Sequence, residues 1–315
     1  DIDEIVDYAE KNRNKIMEKS SFFDSLVKTS SLSQCWKDFI GFTFQSYKMN
    51  TIWSYKLNGD ELFSVWEGNC MYNLTVDVEY NAGLFYFMLF PDVVPGMLRM
   101  WADTERGRGF ISHDVGNGYC LESLQKYAHD MPIEENCNFI LMLYAGYTIN
   151  ENLCSIVEHK DVLKRLVRYI LDSDTIGDGI PNIGVFNTID DGMNEVQKAE
   201  KQTYLAIKSA CALNASILML KNIEDDGLIC EAEERVKLIM NTVNEQLWHE
   251  DHYGLCLDDS FINSKTGIKE TLCYKNDYSI YASNGLLYLL LSGQNLDFID
   301  LNRIKIDIYL SLIHI

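Results

Sequence analysis

The feature that most constrains the fold is a succession of long segments whose apolar residues recur every three or four positions, joined by loops rich in Asp, Gly and Asn. This periodicity is typical of helices that bury one face. It predicts helices at residues 2–19, 32–49, 77–90, 91–101, 134–147, 162–171, 198–220, 231–248 and 278–291. Strand patterns are confined to residues 109–112 and 254–257. The chain is therefore predicted to be all-α.

The helical segments alternate between nearly apolar and amphipathic ones. Apolar helices are typical of a buried layer and amphipathic helices of an outer layer. The alternation favours inner and outer rings of helices, an α/α toroid whose functional loops lie at one end. A helical solenoid would have a similar rhythm, although no repeat motif supports it. No linker interrupts the chain, so residues 1–315 are predicted to form one catalytic domain.

Composition restricts the partners. The net charge of −20 argues against nucleic acid and anionic membranes, since both require basic patches. No apolar run is predicted to be long enough to span a membrane. The nine Cys are scattered without a Cys-x-x-Cys pair, which is typical of free thiols in a reducing compartment. With no signal peptide at its start, the protein is expected to be cytoplasmic and to act on a small neutral or cationic substrate, and the sequence has no signal for an oligomeric state.

Residues 66–77 are a polar stretch that precedes a strongly apolar segment, residues 80–90. The polar stretch contains the aromatic Trp66, the carboxylates Glu67 and Asp77, and the amide Asn73. Such groups are costly to bury unless each has a partner or a ligand. Carboxylates beside flat rings are the composition of a sugar-binding site, so this stretch is a candidate site.

Two further polar stretches contain candidate residues. His113 beside Asp114 would bind a sugar hydroxyl as donor and acceptor, or would make a structural loop hydrogen bond. Asp190 and Asp191 are either a helix cap with a first-turn acid, or a pair in which one carboxyl is a general acid. Glu134 begins a predicted helix and shares a face with a residue four positions later, a face that would point into the site.

The segment 172–182 has oxygen-bearing side chains at alternate positions, as calcium loops do. Asp172, Asp174 and Asp178 would be the ligands. The segment lacks the terminal Glu of the twelve-residue calcium loop, so a solvated turn between helices is the preferred interpretation. We therefore expect neither a metal nor another cofactor.

Taken together, these stretches resemble family 52 glycoside hydrolases, the β-xylosidases. The Glu67-Gly68, Met71-Tyr72-Asn73 and Asp77-Val78 elements are also similar to the family 116 β-glucosidases and glucosylceramidases. The motifs that carry the family 52 resemblance are Leu74-Thr75-Val76-Asp77, His113-Asp114-Val115-Gly116, Met131-x-x-Glu134-x-x-x-Asn138, Thr188-Ile189-Asp190 and Gln202-x-Tyr204-Leu205-Ala206-x-Lys208.

The resemblance implies an (α/α)6 barrel that hydrolyses β-xylosides or β-glucosides with retention. Glu67 matches the nucleophile and Asp190 the acid/base, with their carboxyl groups about 5–5.5 Å apart. Asp77 and His113 match residues that bind the sugar near the nucleophile. The other candidate substrate-binding residues are Asp114, Asn73, Trp66, Glu134 and Asp191. The spacing from Glu67 to Asp77 departs from both families by a residue or so. The β-sandwich that precedes the barrel in these families has no counterpart here, and the chain ends at Ile315, so the toroid is expected to be incomplete.

A second resemblance leads to a different chemistry. Met131-Pro132-Ile133-Glu134-Glu135, the His-Asp-Val-Gly loop and Thr75-Val76-Asp77-Val78 are also similar to the central domain of glutaminase A-like proteins. The sequence offers amide hydrolysis no Ser or Cys nucleophile with a base beside it. The glutaminase hypothesis therefore ranks second, and an inactive or binding toroid fragment ranks third.

Overall fold

The structure is a computed structural model that describes residues 1–55, 59, 61–118, 120–121, 124–150, 153–189, 193–294 and 296–313. The chain forms two compact units, Asp1–Trp53 and Ser54–Ile315. The polar stretches singled out above all belong to the larger unit.

The smaller unit consists of two helices, α1 (Ile2–Thr29) and α2 (Gln34–Met49). Asp1 and Glu4 form a capping box that satisfies backbone N–H groups at the start of α1. The Phe23 and Phe44 rings stack with their centroids 4.1 Å apart. Neither helix has a buried residue, so the smaller unit has little hydrophobic core.

The larger unit is mainly helical, with short two-stranded ladders at its loops. Its helices are α3 (Val76–Leu89), α4 (Val94–Glu105), α5 (Pro132–Asn150), α6 (Leu153–Glu158), α7 (Lys160–Asp172), α8 (Asn194–Gln197), α9 (Thr203–Lys221), α10 (Asp226–Thr242), α11 (Leu287–Leu291) and α12 (Leu301–Ile313). Its strands are β2 (Glu61–Val65), β3 (Gly116–Asn117), β4 (Cys120–Leu121), β5 (Ser260–Ile262) and β6 (Lys269–Thr271), and β1 (Thr51–Tyr55) contains the boundary between the units. The pairs β3–β4 and β5–β6 are antiparallel.

Helix α9 is the centre of the larger unit. It packs against α5, α10 and the 3-10 segment Ile280–Leu286, and α5 in turn packs against α3. A methyl group added at Gly285 would lie 2.8 Å from the Cα of Lys208, so the absence of a side chain there allows the close approach. These contacts bring the N-terminal halves of α3, α5 and α9 together.

Helix α9 is also long and apolar enough to cross a membrane. No apolar segment of this length was predicted from the sequence. Its side chains are nearly all buried within the larger unit. A mostly buried core helix passes the same test of length and composition, so this match is weak evidence for a membrane span.

Each predicted helix overlaps an observed helical segment with shifted ends, and the one predicted at residues 278–291 is a 3-10 segment, Ile280–Leu286, followed by α11. The helices α6, α8 and α12 were not predicted. The segment after Pro91 begins as a 3-10 turn before α4. Helix α9 begins at Thr203, since the backbone of Gln202 before it is extended, with φ −93° and ψ 135°. The strand prediction at residues 109–112 is wrong. There, Gly109 has a φ of +83° and donates its N–H to the Glu105 carboxylate, which makes a turn. Residues 254–257 form only an isolated bridge, between Cys256 and Gln202.

Candidate active site

The stretch 66–77 is a tight loop between β2 and α3 that continues into the first turn of α3, where Asp77 lies. Gly68, Met71 and Leu74 have φ values of 45°, 54° and 46°, so the backbone turns sharply at three points. The Trp66 indole N–H and the Asn73 amide both donate to the carbonyl of Gly118, at 2.8 and 3.0 Å. The predicted residues Trp66 and Asn73 therefore hold this loop against the loop that follows His113.

Glu67 lies in this loop and is partly accessible to solvent. Its Oε2 accepts a hydrogen bond from the Thr75 hydroxyl at 2.9 Å, which orients the carboxylate toward the start of α3. Glu67 also lies close enough to His113 to affect its protonation electrostatically. Glu67 is thus an oriented, reachable carboxylate beside the predicted sugar-binding residues.

Asp77, His113 and Asp114 form a buried row. The His113 Nδ1 lies 3.1 Å from the Asp114 Oδ2, and its Nε2 lies 3.8 Å from the Asp77 Oδ1. The imidazole stacks on the Tyr127 ring at 4.2 Å. Burial lowers the pKa of His113, but the Asp114 hydrogen bond and the charges of Asp77, Asp114 and Glu67 outweigh burial and raise it. The carboxylates around His113 therefore stabilise positive charge at this position.

Glu134 lies at the start of α5, completely buried. Its Oε1 accepts from the Tyr204 hydroxyl at 2.5 Å, and its Oε2 accepts from the Thr188 N–H at 2.8 Å. The Lys208 Nζ is 3.7 Å from the same Oε1 and donates to Asn284 at 2.9 Å. Burial raises the pKa of Glu134, with the Lys208 charge opposing it. The predicted face of α5 does point into a polar cluster.

Glu135 and Asn138 extend this cluster. The Asn138 amide donates to the Glu135 Oε2 at 3.0 Å, and both side chains are fully buried. Burial raises the pKa of Glu135 well above its usual range, and the nearby charges of Asp77 and Glu134 raise it further. One nitrogen or oxygen atom from each of Asp77, His113 and Glu135 lies within 4.8 Å of the other two.

A further carboxyl group lies one turn into α3. Glu79 is buried and accepts a hydrogen bond from the Tyr86 hydroxyl. Burial raises its pKa to about 8, and the charges of Asp77 and Glu67 add to this effect. The environment of Glu79 therefore favours its protonated, neutral form.

An open cleft of about 680 Å³ is lined by residues that include His129, Phe186 and Lys198. A smaller cavity of about 120 Å³ shares these three residues and adds Tyr127, the ring that stacks on His113. The two cavities thus approach the His113 side of the cluster. Their lining residues do not include the buried Asp77, Glu134 or Glu135.

Two of the predicted residues, Asp190 and Asp191, lie outside the described residues. The segment that precedes them is described as far as Ile189, and the Thr188 N–H contacts Glu134 as given above. The remaining predicted residues, Glu67, Asp77, His113, Asp114, Asn73, Trp66 and Glu134, come from three separate stretches of sequence and lie in the loops and helix starts described here.

The segment considered as a calcium loop is held by N–H donors. The Asp174 carboxylate accepts from the backbone N–H groups of Ile176, Gly177 and Gly179 and from Arg235 at 2.9 Å. Asp178 accepts from Lys201 at 2.7 Å. Such donors compete with a cation for the same oxygens, which agrees with the preferred interpretation as a turn between helices.

The polar residues of the cluster that were missed as site residues include Glu79, Glu135, Tyr204, Lys208 and Asn284. Lys208 is 1% exposed and is paired with Glu134 and Asn284. A signal was present in the sequence, because Glu79 and Lys208 are charged residues within the apolar segments that became α3 and α9. A charge in a buried helix is rarely found without a partner.

Comparison with known proteins identifies related folds. Residues 64–265 match the model of the glutaminase A six helical-hairpin domain. The chain is similar to a GH78 family rhamnosidase of Bacillus sp. GL1, with a TM-score of 0.52 and 18% identity over 75% of this chain and 22% of that one. A rhamnosidase from Klebsiella oxytoca with rhamnose bound has a TM-score of 0.48 and 13% identity over 77% of this chain and 40% of its own. A search of curated proteins finds no match.

These findings confirm the all-α, six-hairpin fold. They confirm the resemblance to the glutaminase A-like central domain and do not support membership of glycoside hydrolase family 52 or 116. The chain spans less than a quarter of the length of the Bacillus rhamnosidase, so that likeness concerns the helical domain alone.

Proposed function

The chain belongs to the glutaminase A six helical-hairpin family, and we propose that it is a glycoside hydrolase domain that acts through paired carboxyl groups. The observation that carries this proposal is the convergence of Glu67, Asp77 and Glu134 with His113 at the loops that precede α3 and α5. Carboxyl groups held in different environments are what glycoside hydrolysis requires.

The division of roles follows from accessibility. Glu67 is the carboxylate of the cluster that solvent reaches, and the Thr75 hydroxyl orients it. In a retaining mechanism, Glu67 attacks the anomeric carbon and forms a glycosyl-enzyme ester as the bond to the leaving oxygen breaks. Asp77 and His113 lie beside Glu67 and would bind sugar hydroxyls as acceptor and donor.

Asp190 is proposed as the acid/base. It would protonate the leaving oxygen and then take a proton from the water that hydrolyses the ester. It follows Thr188 by two residues in the sequence, and the Thr188 N–H donates to Glu134 of the cluster. A β-xyloside or β-glucoside is the proposed substrate.

The experiment uses the full chain with p-nitrophenyl β-xyloside and β-glucoside, and with p-nitrophenyl α-rhamnoside because both structural neighbours are rhamnosidases. We expect Glu67→Gln and Asp190→Asn to lower kcat at least 100-fold, since each removes a chemical step. Glu233→Gln, an exposed carboxylate on α10, is the control. Glycoside turnover that survives both substitutions would refute the assignment, and NMR of the first product anomer reports retention or inversion.

The family match favours glutamine hydrolysis as a second candidate. Among the residues described, Cys137 and Ser209 are a buried pair with their side-chain atoms 3.8 Å apart. Burial raises the pKa of Cys137 to about 12, which leaves the thiol protonated and a poor nucleophile. Release of ammonia from L-glutamine without glycoside turnover would favour this candidate over the first.

A further inference from the structure

We propose that Asp77, His113 and Glu135 form a binding site for a divalent transition-metal ion of the Zn²⁺ or Mn²⁺ class. The site goes beyond the proposed function and shares Asp77 and His113 with it, so these two side chains would bind the ion in place of sugar hydroxyls. Its test does not depend on the proposed function, since metal binding is measured without a substrate. It also departs from the expectation of the sequence, which indicated no metal.

The donor geometry suits one ion. One nitrogen or oxygen atom from each of the three side chains lies within 4.8 Å of the other two, and the His113 Nε2 is 3.8 Å from the Asp77 Oδ1. Two donors bound to the same zinc at about 2.0–2.2 Å each lie roughly 3–4 Å apart. The separation of 3.8 Å is too long for a hydrogen bond and falls in the range expected for two ligands of one ion.

The histidine is oriented as metal-binding histidines are. Its Nδ1 lies 3.1 Å from Asp114, while its Nε2 faces Asp77. Asp114 is itself fixed by the backbone N–H groups of Gly116, Lys126 and Tyr127. A carboxylate that holds the second ring nitrogen sets the tautomer and directs the other nitrogen at the metal.

Independent support comes from buried oxygens without hydrogen bonds. Asp77 Oδ1, Glu135 Oε1 and Asn138 Oδ1 have none, and their side chains are 3%, 0% and 0% exposed. A buried acceptor left unsatisfied costs about 1–3 kcal/mol, and more when it is charged. A divalent cation would satisfy the two carboxylate oxygens, with the Asn138 amide oxygen beside Glu135 as a further oxygen donor in the cluster.

The charge of the cluster also favours a cation. The cluster brings together the carboxyl groups of Asp77, Glu134 and Glu135, and Lys208 lies 3.7 Å from Glu134 alone. A cation bound between Asp77 and Glu135 would hold both groups as carboxylates. Asp77 and Glu135 are both buried, and neither lines the two clefts described above. Imidazole suits zinc and other transition metals, whereas carboxylates suit manganese as well, so the mixed set points to this class of ion.

The test is metal binding by the full chain after dialysis against EDTA. Isothermal titration with MnCl₂ and ZnCl₂ is expected to show one equivalent at micromolar affinity or tighter, and added metal is expected to raise the melting temperature. His113→Gln and Glu135→Gln are expected to weaken binding at least 100-fold, and Asp114→Asn about 10–100-fold. Glu195→Gln, a buried carboxylate bound to the Tyr274 N–H, is the matched control.

Absence of Mn²⁺ and Zn²⁺ binding by the unmodified protein would overturn the proposal, as would equal binding by the His113 and Glu135 variants. A Co²⁺ titration of the unmodified chain keeps the test valid if a variant fails to fold. It is expected to give visible d–d bands without a thiolate charge-transfer band. A thiolate band would place the ion on a cysteine and overturn the proposal.

Discussion

Individual ionisable residues inside apolar helices account for most of the site. Glu79, Glu134 and Lys208 lie in α3, α5 and α9, and each is buried with a hydrogen-bonding partner from another turn or helix. A buried charge persists only where such partners exist, because the alternative is a protonated acid or a large desolvation cost. The stability of the protein is therefore expected to respond to pH and to charge-removing substitutions here.

We expect Glu79 to make stability fall as the pH rises. Its pKa is raised from 4.5 to about 8 in the folded protein, so folding favours the protonated form. That contribution is complete below pH 4.5 and is lost as the pH rises through about 8, at roughly 1.4 kcal/mol for each pH unit between. Glu79→Gln keeps an acceptor for Tyr86 and should flatten this dependence. Urea unfolding at pH 5 and pH 8 measures it, with Glu233→Gln as control, and the same pH dependence in the Glu79→Gln variant would contradict it.

Lys208→Met is expected to destabilise the protein by about 3–5 kcal/mol, since it leaves the Glu134 carboxylate buried without its cation. Lys221→Met, at the exposed end of the same helix, is expected to change stability by less than about 0.5 kcal/mol. Urea unfolding at neutral pH compares the two. The double variant Lys208→Met/Glu134→Gln should recover part of the loss, and a purely additive double variant would argue against the pairing.

At the level of elements, the close approach of the segment Ile280–Leu286 to α9 places Asn284 beside Lys208. Gly285 permits this approach, because any side chain there would collide with the α9 backbone. The interface between these two elements therefore contains both the close backbone packing at Gly285 and the hydrogen bond from Lys208 to Asn284.

Gly285→Ala is expected to destabilise the larger unit by about 1–3 kcal/mol, the usual cost of overpacking. The added methyl group must displace the α9 backbone, since the nearest atom is the Cα of Lys208 at 2.8 Å. Gly227→Ala is the control. Gly227 is exposed in α10 with open space around it, so alanine should stabilise the helix by up to about 1 kcal/mol. Equal effects of the two substitutions in urea unfolding would contradict the role of Gly285.

At the scale of the whole molecule, the hydrophobic core belongs to the unit Ser54–Ile315. The buried apolar side chains of the described residues begin at Phe63, whereas α1 and α2 bury none. Burial of apolar surface is the dominant favourable term in folding. The larger unit should therefore fold without the first two helices.

In a chain that begins at Thr51, the melting temperature of the main transition is expected to stay within about 4 °C of that of the full chain. A shift of this size corresponds to a change of roughly 1 kcal/mol in the free energy of unfolding for a domain of this length. Differential scanning calorimetry of both chains measures this. Near-ultraviolet circular dichroism shows whether the aromatic core of the larger unit is preserved. Loss of the main transition on removal of residues 1–50 would show that the first helices are needed for folding.

The sequence by itself determined the helical class, the approximate positions of most of the long helices and the polar stretches 66–77 and 113–114. These depend on local periodicity and on residues close along the chain, which a single sequence displays. Only the tertiary structure decided that Glu135 meets Asp77 and His113, and that Lys208 lies beside Glu134. These contacts depend on how α3, α5 and α9 pack against one another. Local periodicity does not encode contacts between residues that are more than 50 positions apart, as Asp77 and Glu135 are, and Glu134 and Lys208.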